Sequence, residues 1–265
     1  MNLCFWKMHG AGNDFLLFDD RNLSFPARDS AFVARLCDRR RGVGAEGVVL
    51  IQPPSSNAHF RMRFFNPDGS EADMCGNGAR CVARLASELR AAPDDMLVET
   101  PAGILRAEII PRAVRIHLSP PKDWRPNLSI SWNGRSWVFH HLNSGVPHAV
   151  CFVDDLSALD VPAFGSFVRR HPLFSPAGAN VDFAQVSGPA ELAVRTFERG
   201  VEAETLACGT GIAASAIVAA RLGLLGASSV RVRSAGGDVL EVGIDPPTLA
   251  GPAEHVFRGE MAYRQ

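Results

Sequence analysis

Much that would mark a specialised protein is missing from this chain. Its six cysteines include no C-x-x-C pair and keep no company with a histidine tract, so neither a disulfide framework nor a metal site is expected. No sign of charge dominates: 27 Lys and Arg against 28 Asp and Glu leave a net charge of −1. That balance gives no reason to expect nucleic acid or an anionic membrane as a partner. The opening stretch MNLCFWKMHGAGNDF has no sustained apolar core, so no signal peptide is read there. The most apolar run, residues 206–220, is too short to span a bilayer and is rich in Gly, Ala and Ser. These absences point to a cytoplasmic protein whose thiols stay reduced, and the question becomes which thiols react.

What is present is an ordinary globular composition, 46% apolar and 21% charged over 265 residues, enough for two modest domains. Two stretches organise it. Residues 66–81 read NPDGSEADMCGNGARC, and residues 204–220 read ETLACGTGIAASAIVAA. In each, an acidic residue comes shortly before a cysteine, Cys-Gly-x-Gly follows, and a helical run begins. The Asn-Pro-Asp-Gly that opens the first predicts a turn, with Pro at its second position and Gly at its fourth. One Cys-Gly-x-Gly would be weak evidence. Two, in the two halves of a chain this size, suggest a duplicated unit with a paired thiol site.

The spacing predicts a helix over 78–91, amphipathic, with Arg80, Arg84 and Arg90 beside Val82, Leu85 and Leu89. A second helix, over 211–225, is apolar around nearly its whole circumference until Arg221, so it must be covered on all sides. The many flanking strand patterns supply the cover: 3–6, 15–18, 48–52, 60–65, 97–100, 104–110 and 113–118 in the first half, and 136–142, 149–153, 181–186, 193–197, 230–233 and 239–244 in the second. Shorter helices are read over 29–39, capped by Asp29 or Ser30, and over 160–170. The Pro-rich stretch 119–126 reads as the crossing between domains, residues 127–135 as a polar segment, and 246–252 as a Pro-rich link. The expected fold is α/β (α+β): two pseudo-symmetric domains, each a curved, mostly antiparallel sheet around a central helix. The first domain is 1–118, completed by the tail 253–265, and the second is 119–252.

The chain resembles the diaminopimelate epimerase family over essentially its whole length. The resemblance rests on HGAGNDF (9–15), FNPDGSE (65–71), MCGNGARC (74–81), Pro147-His148, GANVDF (178–183), RTFERG (195–200) and ETLACGTG (204–211). It implies interconversion of L,L- and meso-2,6-diaminopimelate, in lysine and cell-wall biosynthesis, without pyridoxal phosphate or any other cofactor. It also implies a site in the cleft between the domains, a small-molecule substrate as the principal partner, and a homodimer as the expected assembly.

Inverting an α-carbon in place needs one group to remove a proton from one face and another to deliver a proton to the other. The family uses a thiolate and a thiol, at positions that match Cys75 and Cys208. An ordinary cysteine, with a pKa of about 8.5, is only a few per cent thiolate near neutrality. Both cysteines precede helices, whose N-terminal field favours an anion by up to about 2 kcal/mol. With no cofactor to delocalise the carbanion, the substrate carboxylate must carry the developing charge. Backbone N–H groups around Gly76–Asn77 and Gly209–Thr210 suit it. By resemblance, Asn13, Asn66, Asn180 and Arg199 contact substrate, Arg199 pairing with the distal carboxylate. His148 and Glu198 match positions near the reacting end, where an α-amino group binds.

Plainer readings stand beside these. Asn13 is also read as a turn residue, His148 as a capped loop histidine, and Glu198–Arg199 as a surface ion pair. Cys4, Cys37 and Cys151 are read as small core hydrophobes. Cys81, about 240° around the helix from Cys75 at about 100° per residue, should face the core. Two departures from the family pattern bear on distal recognition. Val146 replaces an Asn common in the family, and Gly47 stands where some members carry a substrate-contacting Gln. The loop between Arg199 and Cys208 is also one residue longer than in some members. Two other functions compete: a cofactor-independent racemase of another amino acid, such as proline, and a non-catalytic dithiol binding or redox protein.

Overall fold

The structure, a computed structural model, describes residues 2–263. Met1, Arg264 and Gln265, assigned to the first domain by sequence, lie outside the described residues. Ala11 and Gly12 take φ of 54° and 84°, which closes a two-residue turn whose twist suits the flanking strands. A long hairpin therefore joins the strands expected at 3–6 and 15–18 and extends both. Strand β1 (Asn2–Gly10) pairs antiparallel with β2 (Asn13–Asp19), Gly10 opposite Asn13. Asn13 is thus the first residue of a strand.

Contacts divide the chain into two units, one running to Ile116 and resuming from Gly251, the other from His117 to Ala250. The first continues with α1 (Ser30–Cys37), whose cap Asp29 accepts a 2.9 Å hydrogen bond from the Phe32 amide. Then come β3 (Val48–Gln52), β4 (Phe60–Phe65), the short β5 (Glu71–Ala72), α2 (Gly76–Glu88), β6 (Asp95–Thr100), β7 (Gly103–Ile110) and β8 (Ala113–His117). Pairing is antiparallel except at β2–β3 and β4–β6, the two steps bridged by a helix.

The second unit repeats this plan. It contains β9 (Lys122–Trp132), β10 (Arg135–Asn143), β11 (Pro147–Phe152), α3 (Val161–Arg169), β12 (Asn180–Gly188), β13 (Glu191–Glu198), the short β14 (Ala203–Thr205), α4 (Gly209–Arg221), β15 (Ser229–Arg233), β16 (Val239–Gly243) and β17 (Thr248–Gly251). Again the parallel steps, β11–β12 and β13–β15, are those with a helix between them. The last strand, β18 (Glu254–Ala262), pairs with β1, taking the place in the first unit that β9 takes beside β10 in the second.

Three further segments differ from the sequence reading. The crossing and polar stretches are one strand, β9, turned into β10 by Asn133 and Gly134 with φ of 50° and 73°. Asn-Gly is the strongest short hairpin signal a sequence carries. The Pro-rich link contains β17. Finally, the arginine side of α2 is not a solvated face. Arg80 is wholly buried, its Nη2 donating to Asn77 Oδ1 at 2.8 Å and its Nε to Pro252 O at 3.3 Å.

Each sheet bends. Helix α2 touches β1, β2, β3, β4 and β7, strands that would span about 24 Å if flat, whereas a helix is about 10–12 Å across. Helix α4 likewise touches strands from β10 to β16, and every residue from Gly211 to Ala219 is buried. The outer faces are covered by the shorter helices. Phe32, Val33 and Leu36 of α1 pack on Phe5, Phe18, Val48 and Leu50, and Val161, Phe164 and Val168 of α3 on Phe139, Val181 and Phe183. Full burial of each such side chain contributes about 1.5–3 kcal/mol. Among the described residues no helix is long and apolar enough to cross a membrane.

Candidate active site

Each unit delivers a cysteine to the first turn of its buried helix by the same route. In the first, β4 runs into the turn 66–69, closed by Gly69 N–H donating to Asn66 O at 2.9 Å. Gly69 has φ 86°, and a Cβ there would lie 2.2 Å from Ser30 O, so only glycine fits. The chain returns as β5, with Glu71 opposite Phe65. Cys75 then caps α2: its Sγ accepts from Gly78 N–H at 3.5 Å, and its carbonyl accepts the helical bond from Ala79 N–H at 2.8 Å. In the second, β14 returns along β13 with Glu204 opposite Phe197, and Cys208 O accepts from Ile212 N–H at 2.9 Å. Both helices begin at the glycine directly after the cysteine, two residues earlier than the spacing suggests. Gly76, Asn77, Gly209 and Thr210 therefore lie in the first turns of their helices. A Cβ on Gly76 would meet nothing within 4 Å, so that first turn is open.

The two cysteines differ in surroundings. Cys75 is half-buried, while Cys208 is buried. Burial first, then the charges of Glu198 and Asp182, push the Cys208 thiol well above its ordinary range, against the opposing hydrogen bond of Thr210. Burial there works against the activation expected from the helix field. Burial likewise pushes Cys81 and Cys151 up to about 12 and Cys37 to about 11, and these three are core residues. Cys4 is only half-buried, its Sγ 3.3 Å from Glu260 Oε1.

Around Cys208 the second unit gathers Thr210, His148, Asn180 and the Arg199 backbone into one network. Thr210 Oγ1 lies 3.5 Å from Cys208 Sγ and 3.0 Å from His148 Nε2. Asn180 Nδ2 lies 3.4 Å from the same His148 nitrogen, and Asn180 Oδ1 accepts from Arg199 N–H at 2.7 Å. The Arg199 guanidinium donates to Ala177 O at 3.2 Å, while Glu198 accepts from Thr205 at 3.0 Å. Burial raises the Glu198 carboxyl above its usual range, the Thr205 hydroxyl pulling the other way. His148 is fully buried, with both ring nitrogens within hydrogen-bond reach of neighbours. In the first unit Asn66 Nδ2 donates to Ser70 Oγ at 3.1 Å, and Asn77 Oδ1 accepts from Arg80.

Asp182 is the residue that sequence reasoning missed. Its side chain has no exposure; Oδ2 lies 2.7 Å from His148 Nδ1, and Oδ1 accepts from Thr196 at 2.8 Å. It lies two positions past Asn180 on β12, so the two share a face, and that alternation is the signal that would have found it. Gly47 is closed off: a Cβ there would be 2.4 Å from Phe64 Cε2 and 2.7 Å from Phe65 O.

The fold recurs in solved structures. A phenazine biosynthesis protein of the PhzF family from Bacillus anthracis matches with a TM-score of 0.76 at 15% identity, covering 99% of this chain and 100% of that one. A probable proline racemase from Agrobacterium radiobacter K84 matches with a TM-score of 0.73 at 16% identity, covering 99% and 93%. These likenesses define the class of fold, a two-domain α/β architecture, and nothing beyond it. Sequence goes further. The family pattern described as diaminopimelate epimerase matches residues 5–119 and 141–251. The diaminopimelate epimerase of Hydrogenobaculum sp. strain Y04AAS1 is 41% identical over 271 residues, 97% of this chain and 98% of that relative. The chain belongs to the diaminopimelate epimerase family, and it is an isomerase.

Proposed function

We propose that the protein interconverts L,L- and meso-diaminopimelate, with Cys75 and Cys208 as a thiolate–thiol pair acting on opposite faces of one α-carbon. The observation that carries this reading is the repeated device of strand, short return strand, capping cysteine and buried helix. A chain that places a cysteine twice at the N-terminal cap of a buried helix supports a two-base reaction better than two unrelated thiols. The substrate α-carboxylate takes the N–H groups of Gly76–Asn77 and Gly209–Thr210, where negative charge developing on it is stabilised. Glu198 takes the α-amino group, with His148 behind Asn180 and Thr210 orienting them. Asn13, Asn66, Asn180 and Arg199 hold the distal amino-acid centre. The protein acts in the cytoplasm as a homodimer, a state that light scattering tests directly; Val256 and Phe257, exposed on β18, suit such an interface.

A second reading, epimerisation of a smaller amino acid, is favoured by Val146, which offers no polar side chain to a distal group. One experiment separates the two: solvent deuterium incorporation at the α-carbon of diaminopimelate beside proline and lysine, with and without thiol alkylation. Exchange into diaminopimelate that alkylation abolishes is the expected result. Epimerisation that persists in the Cys208→Ala protein would end the two-thiol reading.

A further inference from the structure

The two units repeat so closely that positions correspond residue by residue. Phe65 lies opposite Val48 and Glu71, as Phe197 lies opposite Val181 and Glu204. One residue along β3 and β12, Val49 corresponds to Asp182. Across the parallel partner strands, where Leu16 faces Val48 and Ala149 faces Val181, Phe15 corresponds to His148. The helix glycines agree with this match. A Cβ on Gly78 would lie 3.4 Å from Val49 Cγ2, and one on Gly211 would lie 2.2 Å from Asp182 Oδ1. So the helix that Cys75 caps rests on a Phe–Val pair, and the helix that Cys208 caps rests on a His–Asp pair of zero exposure. Burying an imidazole and a carboxylate costs folding free energy that the apolar pair does not. The first unit shows that the fold needs neither.

The hydrogen bonds of the polar pair run in one direction. Asp182 is an acceptor only, so His148 donates through Nδ1. Asn180 spends its oxygen on Arg199 N–H, which leaves its amide nitrogen nearest His148 Nε2 and marks Nε2 as an acceptor. Thr210 then donates its hydroxyl to Nε2 and receives Cys208 S–H. Among the described residues, Glu198 on β13 is the other titratable group that acts on Cys208, while His141 on β10 lies beside Phe174 on the opposite face of the sheet.

We propose that Asp182 is a positioning residue for the reaction, setting the proton on Cys208 through His148 and Thr210. The proposal rests on the function given above. When Cys208 ionises inward, its S–H bond breaks and the proton passes to Thr210 Oγ1, whose own proton passes to His148 Nε2. The thiolate then accepts from the Thr210 hydroxyl, the hydroxyl oxygen accepts from Nε2–H, and the imidazolium charge faces the Asp182 carboxylate. No proton enters or leaves the protein in this step.

The alkylation test needs no turnover, so it stands apart from the choice of substrate. In Cys75→Ser protein, the pH dependence of Cys208 alkylation by iodoacetamide is followed by mass spectrometry of the Cys208 peptide. Thr210→Val removes the hydroxyl and keeps the shape, so the midpoint moves up and alkylation at a fixed pH slows about tenfold, the effect of one hydrogen bond to a charged group. Thr210→Ser stays near its parent. Asp182→Asn moves the midpoint up with Thr210→Val. Were Asp182 only a nearby negative charge, its removal would move the midpoint down; that result, or no movement, overturns the proposal. Should Asp182→Asn fail to fold, the double variant His148→Phe/Asp182→Val copies the pair the first unit carries and is expected to move the midpoint up as well. In protein with both cysteines, Asp182→Asn lowers kcat with little change in KM; a rise in KM alone would also overturn it.

Discussion

Arg63 holds Glu71 through two parallel hydrogen bonds of 2.7 Å, Nε to Oε1 and Nη2 to Oε2. Arg195 holds Glu204 in the same way, at 2.7 and 2.8 Å. In each unit the pair ties a long strand to the short strand from which the chain runs on to the cysteine. A strand as short as β5 or β14 makes few ladder bonds of its own, so the planar guanidinium–carboxylate fork supplies its register. Glu204→Gln and Arg63→Lys are expected to keep the fold and lower kcat about tenfold, because a lysine or an amide cannot reproduce the charged two-point grip. Amide hydrogen exchange over residues 203–208 should quicken in Glu204→Gln. Unchanged exchange together with unchanged kcat would show that the loop holds its place without the pair.

Glu71 and Asp14 bear on the acid limit of stability. The hydrogen bond from Arg63 is the main cause that holds Glu71 below its usual range, against burial. For Asp14 burial pushes upward, but hydrogen bonds and charge from Arg39 and Lys7 together leave it lowered. A carboxyl depressed in the folded state contributes stability that is complete above its unfolded value, about 4, and is lost as pH falls through the folded value. Glu198 acts in the opposite sense, since burial raises it and protonation relieves its desolvation. The urea midpoint should therefore hold or rise slightly as pH falls from neutrality to about 5 and drop below about pH 4. Glu71→Gln should make that drop shallower. An acid limb equally steep in the variant would remove Glu71 from the account.

The helix glycines are not equivalent, and alanine substitution separates their roles. At Gly211 a Cβ would lie 2.2 Å from Asp182 Oδ1 and 3.1 Å from Thr196 Oγ1, so Gly211→Ala displaces the buried carboxylate and is expected to cost about 1–3 kcal/mol. At Gly76 nothing stands within 4 Å, so Gly76→Ala should leave thermal stability level or slightly raised, by up to about 1 kcal/mol. Turnover should nonetheless fall in Gly76→Ala, because the methyl group occupies space that the substrate carboxylate needs. Full activity in Gly76→Ala would mean that the open first turn of α2 is not a ligand cradle.

Sequence alone carried the duplicated cysteine device, the buried helix α4 and the small-residue turns, because each depends on local chemistry: glycine where φ is positive, an apolar circumference, proline in a turn. It did not carry Arg80, whose burial depends on a backbone carbonyl at Pro252 far along the chain. Nor did it carry β9, where the Asn133-Gly134 turn was present but proline and polar residues masked the strand. Asp182 was hidden for a third reason. Its role arises from β11, β12 and α4 meeting, and a carboxylate in a short motif shows nothing of its partners until the strands are paired.

The two departures at the distal end are unequal, and that inequality is testable. Gly47 has no room for a side chain, because the ring of Phe64 and the carbonyl of Phe65 close over it. Gly47→Gln should therefore destabilise by about 1–3 kcal/mol or more and restore no contact. Val146 is half-buried in the loop before β11, where its carbonyl accepts from Ser144 N–H at 3.3 Å and its side chain is not confined to the core. Val146→Asn leaves that backbone bond in place and adds an amide for the distal group. One new neutral hydrogen bond contributes about 1 kcal/mol, so KM for diaminopimelate should fall about fivefold while kcat holds. The comparison is made with a substrate analogue that lacks the distal carboxylate, whose KM should not move. A KM unchanged for diaminopimelate, or lowered equally for the analogue, would place the distal centre away from this loop and leave its recognition to Asn66, Asn180 and Arg199.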